Sequence, residues 1–331
     1  MKTILLSGTL ALASFATPVL AADMPVKAPK ATPAADSPWD FAFGGALMSD
    51  YNFRGITQSD HRPSETVYFE PRYNAAKNLQ FYVGVSGEGI DFPNHAAGEV
   101  DFYGGVRPTF DKLALDFGAW YYYYPGGVTF NGLGPSPSTC TNGFFTVTPF
   151  SLGNPVCNVL KGNVSFWEVY GKATYTVNDN VSLGGNVFYS PSWLNSGASG
   201  TYASGTFKLT APSNVLPSGI GAFVSGELGH YWFGTTDPFY GVPLFPAGIK
   251  YPDYTTWNLG VAFTYKVFTL DLRYYDTDLS RSNCNVLTGD HTAGFNPAAA
   301  SPTNPDGLAS TWCGAAFIAK FSADLTLASL K

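Results

Sequence analysis

Charged side chains recur at alternate positions in segments that are otherwise rich in apolar residues. Glu70 and Arg72 are separated by one residue, as are Asp271 and Arg273, so each pair shares one face of an extended chain. Such charges could form a polar constriction that selects small hydrophilic solutes. They could also brace a sheet, because opposite charges on facing strands attract each other, and for any single residue we favour this bracing role. The residues predicted to share the charged face are Asp50, Arg54, Glu70, Arg72, Glu88, Asp101, Arg107, Asp116, Glu168, Lys172, Lys208, Glu227, Lys266, Asp271, Arg273, Lys320 and Asp324.

The strand pattern is clearest over residues 256–276. Apolar side chains occupy every second position over 257–265 and again over 268–274, after one break of parity at Val267. A period of two, with one apolar face and one charged face, indicates two antiparallel strands joined by a tight turn. By itself this pattern fits a soluble sandwich, or an outer-membrane barrel in which the apolar face meets lipid.

The amino terminus has the pattern of a secretory signal peptide. Lys2 supplies a positive start, residues 4–19 are apolar apart from small Ser and Thr side chains, and the small residues up to Ala22 fit a signal-peptidase site. We therefore predict a signal peptide over residues 1–22 and an exported chain. Residues 23–38 are rich in Ala and Pro, which is typical of a solvated periplasmic tether.

The composition favours a chain surrounded by lipid. After residue 22 no uncharged apolar run of about 18 residues occurs, so the sequence excludes transmembrane helices. Aromatic residues make up 16% of the chain and charged residues only 13%, about half the charged share of soluble domains. A soluble protein of this composition would tend to aggregate, whereas a lipid-facing barrel would not. The net charge of −6 argues against a nucleic-acid partner.

Alternation along the chain predicts an all-β fold within residues 39–331, a transmembrane antiparallel up-and-down barrel of about twelve strands. Most of these strands have at least the roughly 9–11 residues that a tilted strand needs to cross a bilayer. The predicted strands are residues 40–54, 65–73, 79–89, 99–110, 113–124, 163–177, 181–190, 202–211, 220–233, 254–266, 268–278 and 315–328.

The connections between the predicted strands alternate in length. Long connections follow the odd-numbered strands, and the longest are residues 125–162 and 279–314, whereas most connections after even-numbered strands are short. A barrel with both termini in the periplasm gives this pattern, because its long loops face outward. We therefore predict periplasmic termini, long extracellular loops at 125–162 and 279–314, and localisation in a bacterial outer membrane.

The four cysteines lie in the two longest loops. Cys140 and Cys157 belong to the first, and Cys284 and Cys313 belong to the second. Four cysteines permit three pairings, and pairing within each loop is the simplest. The spacings do not fit a zinc site, and export favours disulfides over catalytic thiols.

The first predicted strand and loop carry the sequence pattern of a known family. The run from Ser49 to Asp60 reads SDYNFRGITQSD, and Pro63 follows shortly after. This run resembles the corresponding segment of the TorF family of porins, which are outer-membrane proteins of Gram-negative bacteria. Further similar segments are residues 81–92, 100–105, 122–126, 167–170 and 188–191. The resemblance implies an outer-membrane barrel of porin type without a defined substrate.

The expected function is passive diffusion of small hydrophilic solutes through a polar, charge-lined lumen. Side chains fill the interior of an eight-stranded barrel, whereas a sixteen-stranded barrel encloses an aqueous channel. Twelve strands fall between these sizes, so either a narrow pore or an occluded one is expected. Loop 125–162 is the candidate plug, because its apolar residues 144–150 would pack inside the barrel or against other loops. Expected partners are outer-membrane lipid and lipopolysaccharide, the barrel assembly machinery and small hydrophilic solutes.

Two other function classes compete with the porin. A non-conducting structural or surface-interaction barrel would suit the aromatic outer loops, and an outer-membrane hydrolase is less favoured because neither a GxSxG nor an HExxH motif occurs. The sequence predicts no cofactor and no metal site, although His95 with Asp91, Glu99 and Asp101 could hold a cation. The histidines are His61, His95, His230 and His291, with His230 predicted on the lipid face and the others in loops.

Overall fold

Twelve antiparallel strands close into a barrel in the computed structural model, which describes residues 37–133, 157–212, 214–242 and 244–327. The predicted all-β barrel and its number of strands are therefore confirmed. The barrel strands are β1 (Trp39–Met48), β2 (Ser64–Ala76), β3 (Leu79–Glu88), β4 (Glu99–Phe110), β5 (Leu113–Tyr123), β6 (Phe166–Asn178), β7 (Val181–Ser190), β8 (Gly200–Thr210), β9 (Ile220–Phe233), β10 (Tyr254–Tyr265), β11 (Phe268–Thr277) and β12 (Ala316–Thr326).

The barrel closes between its first and last strands. Every other strand pairs with the strands that precede and follow it in the chain. At the seam, Ala42 lies opposite Thr326 and Met48 lies opposite Lys320. Closure removes the edges of the sheet, so the strands satisfy their backbone hydrogen bonds within the barrel, as a span through lipid requires.

Four of the five connections at one end of the barrel have two residues and those at the other end are longer, as the alternation predicts, although residues 211–219 at the first end equal residues 191–199 at the other in number. The short turns are residues 77–78, 111–112, 179–180, 211–219 and 266–267, and the long loops are residues 49–63, 89–98, 124–165, 191–199, 234–253 and 278–315. We call the two ends the short-turn end and the long-loop end. The first and last strands begin and finish at the short-turn end, and the assignment of this end to the periplasm stays a prediction.

Apolar side chains cover the outside of the barrel. On β10 and β11, Leu259, Phe263 and Leu272 are 53%, 41% and 44% exposed, as the alternation in this hairpin predicts. Exposed aromatic residues lie near both ends of the barrel: Trp39, Tyr73, Tyr121, Trp167, Tyr189 and Trp232. An apolar band flanked by aromatic girdles is the outer surface of a transmembrane barrel, so this band contacts lipid.

Three residues predicted on the barrel wall lie elsewhere: Asp50, Arg54 and Lys266. β1 ends at Met48, whereas alternation predicted a strand that reaches Arg54. The chain instead forms a small hairpin, in which Asn52–Phe53 pairs with Ile56–Thr57. Asp50 and Arg54 therefore belong to a loop. Lys266 was predicted on the inner face, but it lies exposed in the turn between β10 and β11, where its φ of 54° suits a turn residue.

The loop after β11 forms a folded cap at the long-loop end. It contains the helix α1 (Arg281–Thr288), whose first turn is capped by Ser280. Cys284 and Cys313 form a disulfide with their Cα atoms 5.8 Å apart, which confirms this predicted pairing. Cys140 and residues 144–150 lie outside the described residues, so the Cys140–Cys157 bridge and the plug stay predictions. Among the described residues, no helix is long and apolar enough to span a membrane.

Candidate functional site in the barrel interior

Residues 49–63, which we call the inserted loop, fold into the barrel at the long-loop end. The hairpin of this loop turns at Arg54 and Gly55, with φ values of 48° and 90°, and two successive positive φ values are typical of a type I′ turn. A Cβ atom at Gly55 would lie 2.3 Å from Thr277 Cγ2 and 2.5 Å from Thr256 Oγ1. Only glycine therefore allows the turn to approach the wall this closely.

Arg54 connects the inserted loop to a carboxylate on the wall. Its Nη1 and Nη2 donate hydrogen bonds to Oε1 and Oε2 of Glu168 on β6, both at 2.8 Å. Nη1 also donates to Tyr231 Oη at 2.9 Å. The two charged side chains are only 1% and 0% exposed. Separation of the two partners would leave an uncompensated buried charge, which is strongly unfavourable. The ion pair therefore anchors the inserted loop to the wall.

Four aromatic rings surround the guanidinium of Arg54. Its Cζ lies 4.5, 4.4, 4.6 and 5.1 Å from the ring centroids of Phe53, Phe188, Tyr202 and Tyr231, distances that allow cation–π attraction. Tyr202 and Tyr231 are both 0% exposed. Side chains that line a water-filled channel would be accessible to solvent. The barrel is therefore packed at the level of these rings, which we call the aromatic cage.

Asp50 organises the inserted loop and does not lie on the wall. Its carboxylate accepts hydrogen bonds from Thr57 Oγ1 at 2.5 Å and from Ser59 Oγ at 3.1 Å. It also lies 2.9 Å from His61 Nδ1, and this hydrogen bond raises the pKa of His61 above its ordinary value. The loop thus carries its own network of polar contacts in addition to its contacts with the wall.

A second charged network lies on the wall closer to the short-turn end. Arg107 donates to both carboxylate oxygens of Glu70, at 2.9 and 3.1 Å, and to Asp116 at 3.2 Å. Arg72 donates to the same Glu70 at 2.5 Å. Tyr82 donates to Asp116 at 2.6 Å, and its ring centroid lies 3.5 Å from Arg107 Cζ. The structure therefore brings four of the predicted site residues into one cluster.

A third network occupies β9, β10 and β11. Arg273 donates to both oxygens of Asp271, at 3.1 and 2.8 Å, and also to Asn258 Oδ1 and Ser225 Oγ, both at 2.7 Å. Asn258 in turn donates to Glu227 at 3.3 Å. Both pairs that the sequence places on one strand face form ion pairs between residues two positions apart: Glu70 with Arg72 and Asp271 with Arg273.

The inner face of β6, β7 and β8 is more open towards the short-turn end. Five small polar side chains point inward there and are partly exposed: Thr174, Ser182, Asn186, Ser204 and Thr206. We call this group the polar vestibule. Lys172 is half-buried beside it, with Nζ 4.7 Å from the centroid of the Tyr170 ring, and Lys208 is buried with Nζ 4.2 Å from the Phe223 ring. Water therefore reaches this part of the interior.

The remaining predicted residues lie on the other side of the barrel. Glu88 and Asp101 are buried at the long-loop ends of β3 and β4, next to Glu99. Lys320 and Asp324 face inward from β12, and Asp324 accepts a hydrogen bond from Tyr68 at 2.9 Å.

The sequence reasoning missed the tyrosines of the interior. Tyr122 and Tyr231 donate to the carboxylate of Glu168 at 3.1 and 3.2 Å. Both lie at inward positions in the same alternation of inward and outward residues that placed Glu168 on the inner face, so this pattern could have identified them. They were missed because the set of residues predicted on the inner face contains only charged side chains.

The histidines are dispersed over the barrel. His230 lies on the outer face, where its Nδ1 is 3.0 Å from Thr255 Oγ1 and its ring is 4.6 Å from the Trp232 ring. His61 contacts Asp50 in the inserted loop, and His95 lies exposed in the loop 89–98. His291 Nε2 is 4.0 Å from Asp91.

Comparison with known proteins adds a partial family match. Residues 31–156 match the model of a family described as bacterial protein of unknown function (Gcw_chp). No curated protein sequence matches the chain significantly. The resemblance to the TorF family stays a prediction.

Similar solved structures include three transport barrels. They are the NanC porin (9% identical, covering 86% of this chain and 100% of that chain, TM-score 0.40), the KdgM porin in complex with disordered oligogalacturonate (6%, 87% and 97%, 0.38) and the Pseudomonas putida toluene transporter TodX (12%, 88% and 89%, 0.38). The closed barrel and its lipid-facing outer band are those of a transmembrane β-barrel of the bacterial outer membrane.

Proposed function

We propose that the protein is a gated outer-membrane channel for passive diffusion of small hydrophilic solutes. In this proposal the short turns and the termini lie in the periplasm and the long loops face outward. The observation that carries the proposal is the ion pair of Arg54 with Glu168, because one partner belongs to the inserted loop and the other to the wall. The packed level of the barrel thus depends on a segment that could move without a change in the strands.

The interior is packed at the aromatic cage and more open at the polar vestibule, and this difference supports a gate at the cage and a channel at the vestibule. At the aromatic cage, Glu168, Tyr202 and Tyr231 are each 0% exposed, so the barrel is packed at this level. Towards the short-turn end, the polar vestibule presents small hydroxyl and amide groups that water reaches. Withdrawal of the inserted loop would join the vestibule to the long-loop end.

The charged networks on the wall differ from the gate in their contacts. The hydrogen bonds of Arg107 and Arg273 described above all go to groups on the wall. Since their carboxylate partners are already bound, we assign Arg107 and Arg273 to bracing of the wall. Solute contacts are assigned instead to the vestibule and to Lys172, and no catalytic reaction is assigned to the barrel.

A non-conducting barrel is the second candidate. It is favoured by the burial of the aromatic cage and by the disulfide-closed cap over the long-loop end. In that case the ion pair of Arg54 with Glu168 would only stabilise the fold, and its loss would not open a pathway.

Single-channel recording in planar lipid bilayers separates these two candidates. Glu168→Gln removes the charge that holds Arg54, and we expect larger or longer-lived conductance steps than in the wild type. Asp271→Asn is the matched control, because Asp271 is a buried carboxylate whose arginine partner, Arg273, lies on the wall. Absence of conductance in the wild type, in Glu168→Gln and in a variant with residues 52–57 replaced by two glycines would refute the channel.

A further inference from the structure

Three acidic side chains meet inside the barrel near the inserted loop. Glu88 and Glu99 are register partners on β3 and β4, and Asp101 follows two positions later on the same face. Each residue offers a carboxylate oxygen, and the three oxygens lie within 4.8 Å of one another. The side chains are buried, with exposures of 8%, 3% and 1%. We call these residues the acidic triad.

The hydrogen bonds to the acidic triad do not satisfy it. Tyr51 donates to Glu99 at 2.7 Å, and Thr66 donates to Glu88 at 2.8 Å. Glu88 Oε2 and Asp101 Oδ1 are nevertheless buried without any hydrogen-bond partner. A buried carboxylate oxygen without a donor is unfavourable, and buried acceptors of this kind call for a partner such as a cation, a water molecule or a proton.

Basic side chains do not neutralise the acidic triad. Among the ion pairs of the described residues, none joins a lysine or arginine to Glu88, Glu99 or Asp101. Lys320 on β12 attracts Glu88 from a greater distance, and it shares this attraction with Asp271 and Asp324. Three ionised carboxylates so close together in a buried site repel one another strongly, and either bound protons or a cation between them relieves this repulsion.

We propose that the acidic triad binds a divalent cation, and that the cation is Ca²⁺. Ca²⁺ is held by oxygen ligands at about 2.3–2.6 Å, so two of its ligands can lie up to roughly 5 Å apart, which accommodates the spacing of the triad. Mg²⁺ requires ligands at about 2.0–2.1 Å in near-ideal octahedral geometry and usually keeps several of its waters, which suits a buried group of three carboxylates less well. The site offers oxygen ligands without sulfur or imidazole, so it does not favour zinc or copper.

A second acidic group in the described residues is less suited to a cation. Carboxylate oxygens of Asp60 and Asp91 lie close to a ring nitrogen of His291. Arg62, however, already pairs with both carboxylates, at 3.1 Å from Asp60 and 2.9 Å from Asp91. A cation at this position would have to displace or repel the guanidinium, whereas the acidic triad needs no such displacement.

The proposed site also touches the inserted loop. Tyr51 belongs to that loop and donates its hydroxyl to Glu99, so the cation would lie one hydrogen bond away from the loop. Binding of the cation is expected to hold Tyr51 in place. This inference does not depend on whether the barrel conducts, because it concerns only the binding of a cation to the acidic triad.

Calcium binding to the full chain, folded in detergent without lipopolysaccharide, tests the proposal. We expect calorimetry with CaCl₂ to show one site per chain with a Kd below about 1 mM. Tb³⁺, which replaces Ca²⁺ at oxygen sites, should show luminescence sensitised by neighbouring aromatic rings, and CaCl₂ should quench it. In Glu88→Gln/Asp101→Asn both signals should weaken at least tenfold.

Two variants serve as controls for this experiment. Asp324→Asn removes another inward-facing carboxylate, and Asp91→Asn removes the competing acidic group, so both should bind as the wild type does. The heat-dependent shift of the folded barrel in electrophoresis establishes that each variant is folded, and if the double variant does not fold, Asp101→Asn alone replaces it. Absence of binding by the wild type in both assays, or binding that persists in the folded triad variant, would overturn the proposal.

Discussion

Arg54 and Glu168 form a doubly hydrogen-bonded ion pair inside the barrel although 114 residues separate them in the chain. Glu168 reaches the interior because it lies on the inward face of a strand. Arg54 reaches it because the loop after β1 turns back at Gly55. Two charges on the wall would only brace the barrel, whereas this pair also determines where a loop lies, so it connects stability with access to the interior.

Glu168→Ala should destabilise the folded protein more than an ordinary substitution does. It leaves the guanidinium of Arg54 buried without its carboxylate partner, and such a loss costs about 3–5 kcal/mol. Replacement of both residues by methionine should recover most of this free energy, because no unpaired charge remains. Urea unfolding in detergent, followed by tryptophan fluorescence, measures the free energies of unfolding. A double variant as unstable as Glu168→Ala would contradict this explanation.

Gly55→Ala should release the inserted loop while the barrel stays folded. Gly55 has φ of +90°, and a Cβ atom there would lie 2.3 Å from Thr277 Cγ2, so the turn could not keep its position. Gly205→Ala on β8 is the matched control, since a Cβ atom there would meet nothing within 4 Å. Limited proteolysis should cut within residues 49–63 faster in Gly55→Ala alone. Equal cleavage rates in the two variants would show that the close approach is unimportant.

The wall of the barrel could be predicted from sequence because every strand obeys one local rule. Inward and outward positions alternate, and the boundaries of β4, β7 and β9 agree with the sequence prediction at both ends. Register then follows from short turns, which fix how neighbouring strands pair. The long-range closure between Ala42 and Thr326 needed only the assumption that no edge stays exposed in lipid.

The inserted loop could not be predicted in the same way. The residues from Ser49 to Arg54 continue the alternation of β1, so a periodicity argument extends the strand across them. What ends the strand is a set of contacts with distant residues, including the hydrogen bond from Tyr254 Oη to the Arg54 carbonyl at 2.9 Å. Such contacts depend on the closed barrel and have no local sequence signal, although the Arg54-Gly55 dipeptide was a cue for a tight turn.

The contact between His61 and Asp50 should make the inserted loop sensitive to pH. The pKa of His61 is raised in the folded protein, chiefly by its hydrogen bond to Asp50. Its stabilisation is therefore fully present below the unfolded pKa of about 6.5 and is lost as pH rises through the raised folded value. The side chain is 37% exposed, so the contribution should stay below about 1 kcal/mol.

Thermal unfolding at several pH values measures this contribution. The difference in Tm between the wild type and His61→Gln should be larger near pH 5.5 than near pH 8.5, because only the protonated imidazole forms an ion pair with Asp50. His95→Gln is the control, since His95 is an exposed loop residue. A difference that is constant over this range, or that grows towards alkaline pH, would argue against a charged contact.

The disulfide of Cys284 with Cys313 should stabilise the cap. The bridge spans a sequence separation of 29 residues, for which the chain-entropy model gives about 3–4 kcal/mol. Cys284→Ser/Cys313→Ser should therefore speed proteolysis within residues 278–315, while the barrel strands stay protected. In Cys140→Ser/Cys157→Ser, a reductant can act only on the bridge of the cap, and it should reproduce the effect of the first variant. If the cap of the reduced control protein resists protease as well as the oxidised form does, the contacts of α1 are sufficient to hold the cap without the bridge.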